Sequence, residues 1–335
     1  MPISQRGSPS FVNCWRCVEQ SKAADDYFAK QRQQADKCTD EGFFFDMMIK
    51  IAGHLQQATK AFDVLHSSAT SKILDFCMAP GGFLDTVLKL YPESRATAFS
   101  LAPEKGGHKV LMQNDRAEVN YMDITMLAAD MGVTSIPKDH EDSDDFLPLE
   151  PLLQQQFDLV ICDGQVLRTH GRAAYRQTRE SSRLLLTQLT LGLEHLHPGG
   201  TMIVLLHKLE SYDNVLLLSQ FNRIAKIKLF KHTQMHAPKS SFYMVASGVD
   251  SQSEEAIELI EGWRKVWQIA TFGTDEEFEA VTCATVADAE RLLAEFGDQL
   301  KGFGTPIWES QLKGLEKLVK KVEEPPRPHL MRMWR

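Results

Sequence analysis

Through the middle of the chain, apolar residues come in short, almost unbroken runs, separated by longer stretches where they recur every three or four positions. Ile73 to Cys77, Ala96 to Leu101, Glu118 to Tyr121, Phe157 to Cys162 and Thr201 to Leu206 read as strands. Strands apolar on nearly every residue belong to a parallel sheet covered on both faces. Phe83 to Tyr91, Arg179 to His195 and Tyr212 to Phe221 carry apolar residues at helical spacing, and Pro198-Gly199-Gly200 closes the second of these helices. The pattern then switches. Lys226 to Phe230 and Phe242 to Ser247 alternate polar and apolar, which predicts an antiparallel pair closing the sheet. The fold class that follows is α/β, a doubly wound, mostly parallel seven-stranded sheet.

The flanks have a different texture. From Cys14 to about Phe62 there is no proline, and Phe43, Phe44, Met47, Met48 and Ile51 mark helical intervals, so two or three helices are expected. Beyond Ser251, Glu254 to Trp267, Val286 to Phe296 and Trp308 to Val322 read as amphipathic helices, followed by the tail at Pro325-Pro326-Arg327-Pro328. The expected organisation is a helical segment over 1–62, a sheet domain over 63–250 and a helical extension over 251–335. The acid-rich run from Lys138 to Asp145 reads as a solvated loop or insertion rather than a metal site.

Composition narrows the function. With 335 residues, 43% hydrophobic and 24% charged, the chain has an ordinary globular makeup, and no stretch reaches the apolar length of a membrane span. The polar start Met1-Pro2-Ile3-Ser4-Gln5-Arg6 lacks the apolar core of a secretory signal, which points to an intracellular protein, cytoplasmic or nuclear. The 6 cysteines are scattered, as suits reduced thiols. Cys14-Trp15-Arg16-Cys17 is a lone C-x-x-C with no second pair at zinc spacing, so no metal is expected. A net charge of -8 excludes broad wrapping by nucleic acid; any RNA contact must be local. The one concentration of cations beside the sheet is Lys226, Lys228, Lys231, His232, His236 and Lys239. It reads equally as a phosphate track or as the solvated guard of an edge strand.

The chemistry centres on Phe76-Cys77-Met78-Ala79-Pro80-Gly81-Gly82-Phe83, where a strand runs into a glycine turn and then a helix. Paired glycines let backbone approach a ligand, and a helix start offers unpaired N–H groups. The three-glycine dinucleotide fingerprint and the P-loop Gly-Lys-Ser/Thr are both absent. That leaves S-adenosylmethionine as the favoured cofactor. Asp163 after the fourth strand and Lys208 after the fifth would stand at the edge where open α/β sheets bind ligands. The blander reading makes them a turn aspartate and a surface lysine.

That order of parts resembles the FtsJ-like family of ribose 2′-O-methyltransferases. The likeness is closest to the divergent version found in fungal proteins, through the glycine turn, Cys162-Asp163-Gly164-Gln165-Val166-Leu167-Arg168 and Leu205-Leu206-His207-Lys208. It runs from about Phe43 to Val249. The resemblance implies a lysine–aspartate–lysine–glutamate centre: Lys50 (or Lys60), Asp163, Lys208 and, in place of the glutamate, Ser241. It implies a cofactor site of Asp75, Cys77, Met78, Ala79, Pro80, Gly81, Gly82, Phe83, Ser100, Leu101, Asp123, Ile124 and Asp163. Asp123 would read the adenine amino group. Ser100 stands where the family has an acid for the cofactor ribose, with Glu104 as a substitute from the next loop. Arg168, His170, Lys231 and Lys239 would face the substrate, with RNA as partner. A neutral lysine could deprotonate a ribose hydroxyl, with Lys50 lowering the Lys208 pKa and Asp163 orienting the amine. Ser100 and Ser241 also suit a weak or inactive member kept as a scaffold. The acidic charge permits a small-molecule or protein methyltransferase.

Overall fold

The computed structural model describes residues 40–66, 70–147 and 155–323. Seven strands form one sheet in the order β3-β2-β1-β4-β5-β7-β6. β1 (Lys72–Phe76), β2 (Arg95–Ser100), β3 (Ala117–Tyr121), β4 (Phe157–Cys162) and β5 (Leu196–His207) are parallel. β6 (Lys226–Phe230) and β7 (Ser241–Ser247) are antiparallel to each other, and β7 slots between β6 and β5. The doubly wound sheet and its closing antiparallel pair are as the apolar pattern predicts.

Period-two alternation sorts the strand residues onto two faces. Leu74, Phe76, Val160, Met202, Val204 and Leu206 pack beneath α3 (Arg176–Glu194), α4 (Tyr212–Ile224), α5 (Glu254–Phe272) and α7 (Val286–Glu323). Ile73, Leu159, Ile161, Ile203, Leu205 and Val245 pack beneath α1 (Glu41–Thr59) and α2 (Gly82–Leu90). Fully burying each such side chain is worth about 1.5–3 kcal/mol relative to exposure, so a one-residue slip of any strand is strongly disfavoured.

Four local expectations change. Pro198-Gly199-Gly200 does not end a helix: α3 stops at Glu194, and β5 already includes that tripeptide. The two helices expected over 286–296 and 308–322 are one helix of 38 residues with Pro306 inside it, because buried Leu300, Ile307 and Trp308 carry the apolar stripe across the join. α6 (Asp275–Thr282) was not foreseen, although Thr274 and Glu277 form a capping box at its start. The acid run is only partly solvated, since Asp142 is buried and accepts a 2.8 Å hydrogen bond from the Tyr175 hydroxyl. Cys14, Cys17 and the tail prolines lie outside the described residues. Among the described residues no helix is long and apolar enough to cross a membrane.

Candidate active site

A cavity of about 320 Å³ opens at the carboxyl ends of β1, β2, β4 and β5, roofed on one side by α1. Its polar residues follow from the same alternation that built the core. Asp75 is in phase with Ile73, Ser100 with Ala98, Asp163 with Ile161, His207 with Leu205, and Ser241 and Tyr243 with Val245. All six reach the cavity on the α1/α2 side. Where each strand leaves the apolar layer, its next in-phase side chain meets the ligand space rather than a helix.

One side is the predicted cofactor region. Cys77, Met78, Ala79, Pro80, Phe83, Ser100, Leu101, Asp123 and Ile124 line it together with Asp75 and Asp163. Gly81 and Gly82 do not, and the reason for their lack of side chains is packing. Gly81 has φ +104°, and a Cβ there would stand 2.7 Å from the Cβ of Met112. On Gly82 it would stand 2.1 Å from the carbonyl oxygen of Phe45 in α1. The glycine pair lets α1 and the 108–112 strap close over the turn, thereby building the roof.

Asp75 is buried, and Asp163 half-buried on the cavity wall with its carboxylate desolvated. Burial, and then the charge of Asp163, push the Asp75 carboxyl well above its ordinary range. Burial raises Asp163 to about 7, opposed by the Tyr243 hydroxyl, which donates to its two oxygens at 3.2 and 3.3 Å. A cationic ligand would restore both to their ionised form, and a sulfonium bearing an ammonium group is such a ligand. The residues therefore fit S-adenosylmethionine.

Asp123 is held in an ion network. Its Oδ1 accepts from the Thr125 N–H and hydroxyl at 3.0 and 2.7 Å, and its Oδ2 from Arg176 at 2.7 Å. Arg176 also binds Glu180 at 2.5 Å, and Glu180 binds Arg183, which is fully buried. Arg176 and these hydrogen bonds hold the Asp123 pKa below normal despite its burial. Asp123, His170 and Glu180 converge closely enough to suggest cation ligands, but the Arg176 guanidinium already sits among them.

The catalytic and substrate residues are redistributed. α1 turns Phe44, Met47 and Met48 toward the cavity and Ile51 and Leu55 into the core, and Lys50 falls off that stripe onto the exposed face. Lys60, the left-handed cap of α1, is exposed as well. Lys208 is one residue out of phase with Leu205 and His207, sits at φ +59°, and is exposed outside the cavity lining. Arg168 and Glu104 are also exposed and absent from the lining. His170 lines the cavity on the Asp123 side, 3.4 Å from that carboxylate.

The cationic tract is mostly consumed by the fold. Lys231 is buried, with its ammonium donating to the carbonyl oxygens of Lys239 and Ser241 at 2.5 and 2.8 Å. Lys228 donates to the Thr59 carbonyl at the end of α1 at 3.0 Å. His232 stacks on His54, with ring nitrogens 2.9 Å apart. Only Lys239 of this tract's lysines lines the cavity, its pKa lowered by desolvation although the residue as a whole is exposed.

Sequence reasoning assigned no site role to Gln165 or His207, and named His236 only within the cationic tract; all three are in the lining. His207 faces Ser241 in the β5–β7 register. Counting in twos from Ile203 and Leu205 would have reached it. His236 is buried against Tyr243, with ring centroids 6.3 Å apart, and burial lowers its pKa to about 3. The cation count marked it, but its place in an irregular connection hid that it turns inward against the cavity.

The mixed seven-stranded sheet, with a ligand crevice at the carboxyl ends of its parallel strands, defines the class: an S-adenosylmethionine-dependent methyltransferase fold. A family model of the FtsJ-like methyltransferases matches residues 52–249, so the chain belongs to the FtsJ-like methyltransferase family. Membership implies S-adenosylmethionine-dependent methyl transfer. Among solved structures, the chain is similar to a Plasmodium falciparum protein described as a ribosomal RNA methyltransferase. They share 17% identity over 59% of this chain and 96% of that one, with a TM-score of 0.38. It is also similar to human methyltransferase-like protein 13 in complex with SAH (15% identity, 64% and 91% covered, TM-score 0.35). An rRNA methylase from Streptococcus thermophilus is a third (14% identity, 57% and 95% covered, TM-score 0.31). None of the curated proteins compared with the sequence matches it.

Proposed function

We propose that this chain transfers a methyl group from S-adenosylmethionine to a ribose 2′-hydroxyl of RNA. The observation that carries the reading is the pair of desolvated strand-end carboxylates, buried Asp75 and half-buried Asp163, lining a cavity in a chain of this family. Cys77 to Pro80, Phe83, Ser100, Leu101, Asp123 and Ile124 would hold the adenosine portion, with Asp75 and Asp163 nearest the cationic one. When bound, the cofactor supplies a methyl group activated on a sulfonium sulfur. The protein's part is to exclude water and to align and deprotonate the acceptor hydroxyl. Asp163, which accepts from the Tyr243 hydroxyl, and Lys239 are charged groups of the lining that would help to align the acceptor.

Calorimetric titration with S-adenosylmethionine and with its demethylated product tests the first half. Transfer of labelled methyl groups into RNA, yielding alkali-resistant dinucleotides, tests the second. A second reading is a fold that binds cofactor or RNA without transfer. It draws on the exposed positions of Lys50 and Lys208 and on Ser241 in place of an acid. Cofactor binding with no transfer to any RNA would select it.

A further inference from the structure

The strand-end position that lines the cavity on β5 is held by a histidine. Gln165 fixes its tautomer. The Gln165 amide nitrogen donates to the Gly164 carbonyl at 2.9 Å, which leaves the amide oxygen as acceptor, and that oxygen lies 2.7 Å from His207 Nε2. His207 must therefore carry its proton on Nε2, and its lone pair is on Nδ1. Nδ1 has no hydrogen-bond partner among the described residues.

Two further polar atoms nearby await a partner. Ser241 is 2% exposed, lines the cavity and leaves Oγ unbonded; His236 is 7% exposed, lines it too and leaves Nδ1 unbonded. Because His207 and Ser241 are directly opposed, their β-carbons lie about 5 Å apart, a span that one hydroxyl can bridge. Buried polar atoms left unpaired cost roughly 1–3 kcal/mol each, so a ligand hydroxyl has a reason to settle there.

From this juxtaposition we infer that His207 is the general base of the reaction, taking the acceptor proton on Nδ1 while Ser241 and His236 hold the acceptor. The inference rests on the methyltransferase reading and deepens it. The hydroxyl proton passes to His207 Nδ1, and the freed electron pair on oxygen forms the bond to the methyl carbon. The carbon–sulfur pair returns to sulfur, leaving a thioether, a methyl ether and an imidazolium that later loses its proton to solvent. Desolvation of the ring by the cavity wall first, then the ammonium groups of Lys231, Lys239 and Lys208, lower the His207 pKa and favour the neutral imidazole, although the residue as a whole is exposed. His236, itself neutral, is the other titratable group facing it. A histidine suits the place because a lysine there would have to lose its charge before it could act.

The test pairs a spectroscopic readout with a kinetic one, in the full chain. Nitrogen NMR of imidazole-labelled protein, with His207 assigned by His207→Gln, should show a neutral ring protonated on Nε2 at pH 7, with a pKa below the ordinary 6.5. An imidazolium at pH 7, or a proton on Nδ1, overturns the inference. In RNA methyl transfer, His207→Gln should lower kcat about 100-fold or more. Its cofactor Kd should stay within about threefold, and the wild-type rate should rise with pH as one proton leaves. A His207→Gln enzyme that keeps more than about a tenth of wild-type kcat removes the base but leaves the methyltransferase reading standing. A wild-type protein that transfers to no RNA ends both.

Discussion

The two halves of the cavity are built by different means. The half proposed for the cofactor comes largely from contiguous chain: β1, the 77–83 turn and the start of α2, joined by the residues that follow β2 and β3. The half proposed for the acceptor is assembled from β5, β7, α1 and the 231–240 connection, and the cations that the sequence concentrates there are largely spent holding the fold together. A turn's chemistry can be recognised from its own residues. A wall assembled from distant segments depends on register and on which charges are already engaged.

The contrast predicts where substitutions act. Asp163→Ala should have the largest effect, weakening S-adenosylmethionine by about 2–5 kcal/mol in calorimetry, the usual cost of deleting one member of a buried charge pair. Cofactor affinity unchanged by that variant would mean that Asp163 does not serve the cofactor half. Gly82→Ala, which drives a Cβ into the Phe45 carbonyl, should lower stability by about 1–3 kcal/mol in urea unfolding, with α1 displaced from the turn. Lys231→Met removes the cation that ties Lys239 to Ser241 and should cost about 1.5 kcal/mol of stability. A variant that loses RNA affinity alone would restore the tract as a phosphate site.

The pH dependence follows from Asp163. Its folded pKa, about 7, lies above the 3.8 of a free aspartate, so between those values the folded state binds more protons than the unfolded. This group's contribution to stability is therefore full below about pH 4 and falls as pH rises toward 7. Affinity for a cationic cofactor should strengthen through the same window. Asp163→Asn should flatten both trends, as read by melting curves and calorimetry across pH 5 to 8. The smallest effect belongs to Lys208→Ala, which should change methyl transfer by less than about threefold, because its side chain is exposed outside the cavity. Abolished transfer with intact cofactor binding would return Lys208 to the centre.

The parallel sheet, its antiparallel closure, the glycine turn and Asp163 were legible because each is written locally, in unbroken apolar runs, in alternation, and in residues flanking a strand end. Lys208 and Lys50 both stand outside the cavity lining, for different local reasons: Lys50 is two positions past Met48, about 200° around the helix, and Lys208 follows the last residue of β5 in a left-handed conformation. The joined α7 was hidden by Gly302, Gly304 and Pro306, whose low helix propensity is overridden where Leu300, Ile307 and Trp308 are buried.

By itself the sequence determined the fold class and marked the glycine turn beside the cavity, since apolar periodicity and a strand–glycine-turn–helix junction are local properties of the chain. Only the tertiary structure decided which side chains share the cavity. It placed His207 opposite Ser241, left Lys208 outside, and committed Lys228 and Lys231 to backbone carbonyls. Those outcomes depend on strand register and on burial, and both are fixed only when distant segments pack.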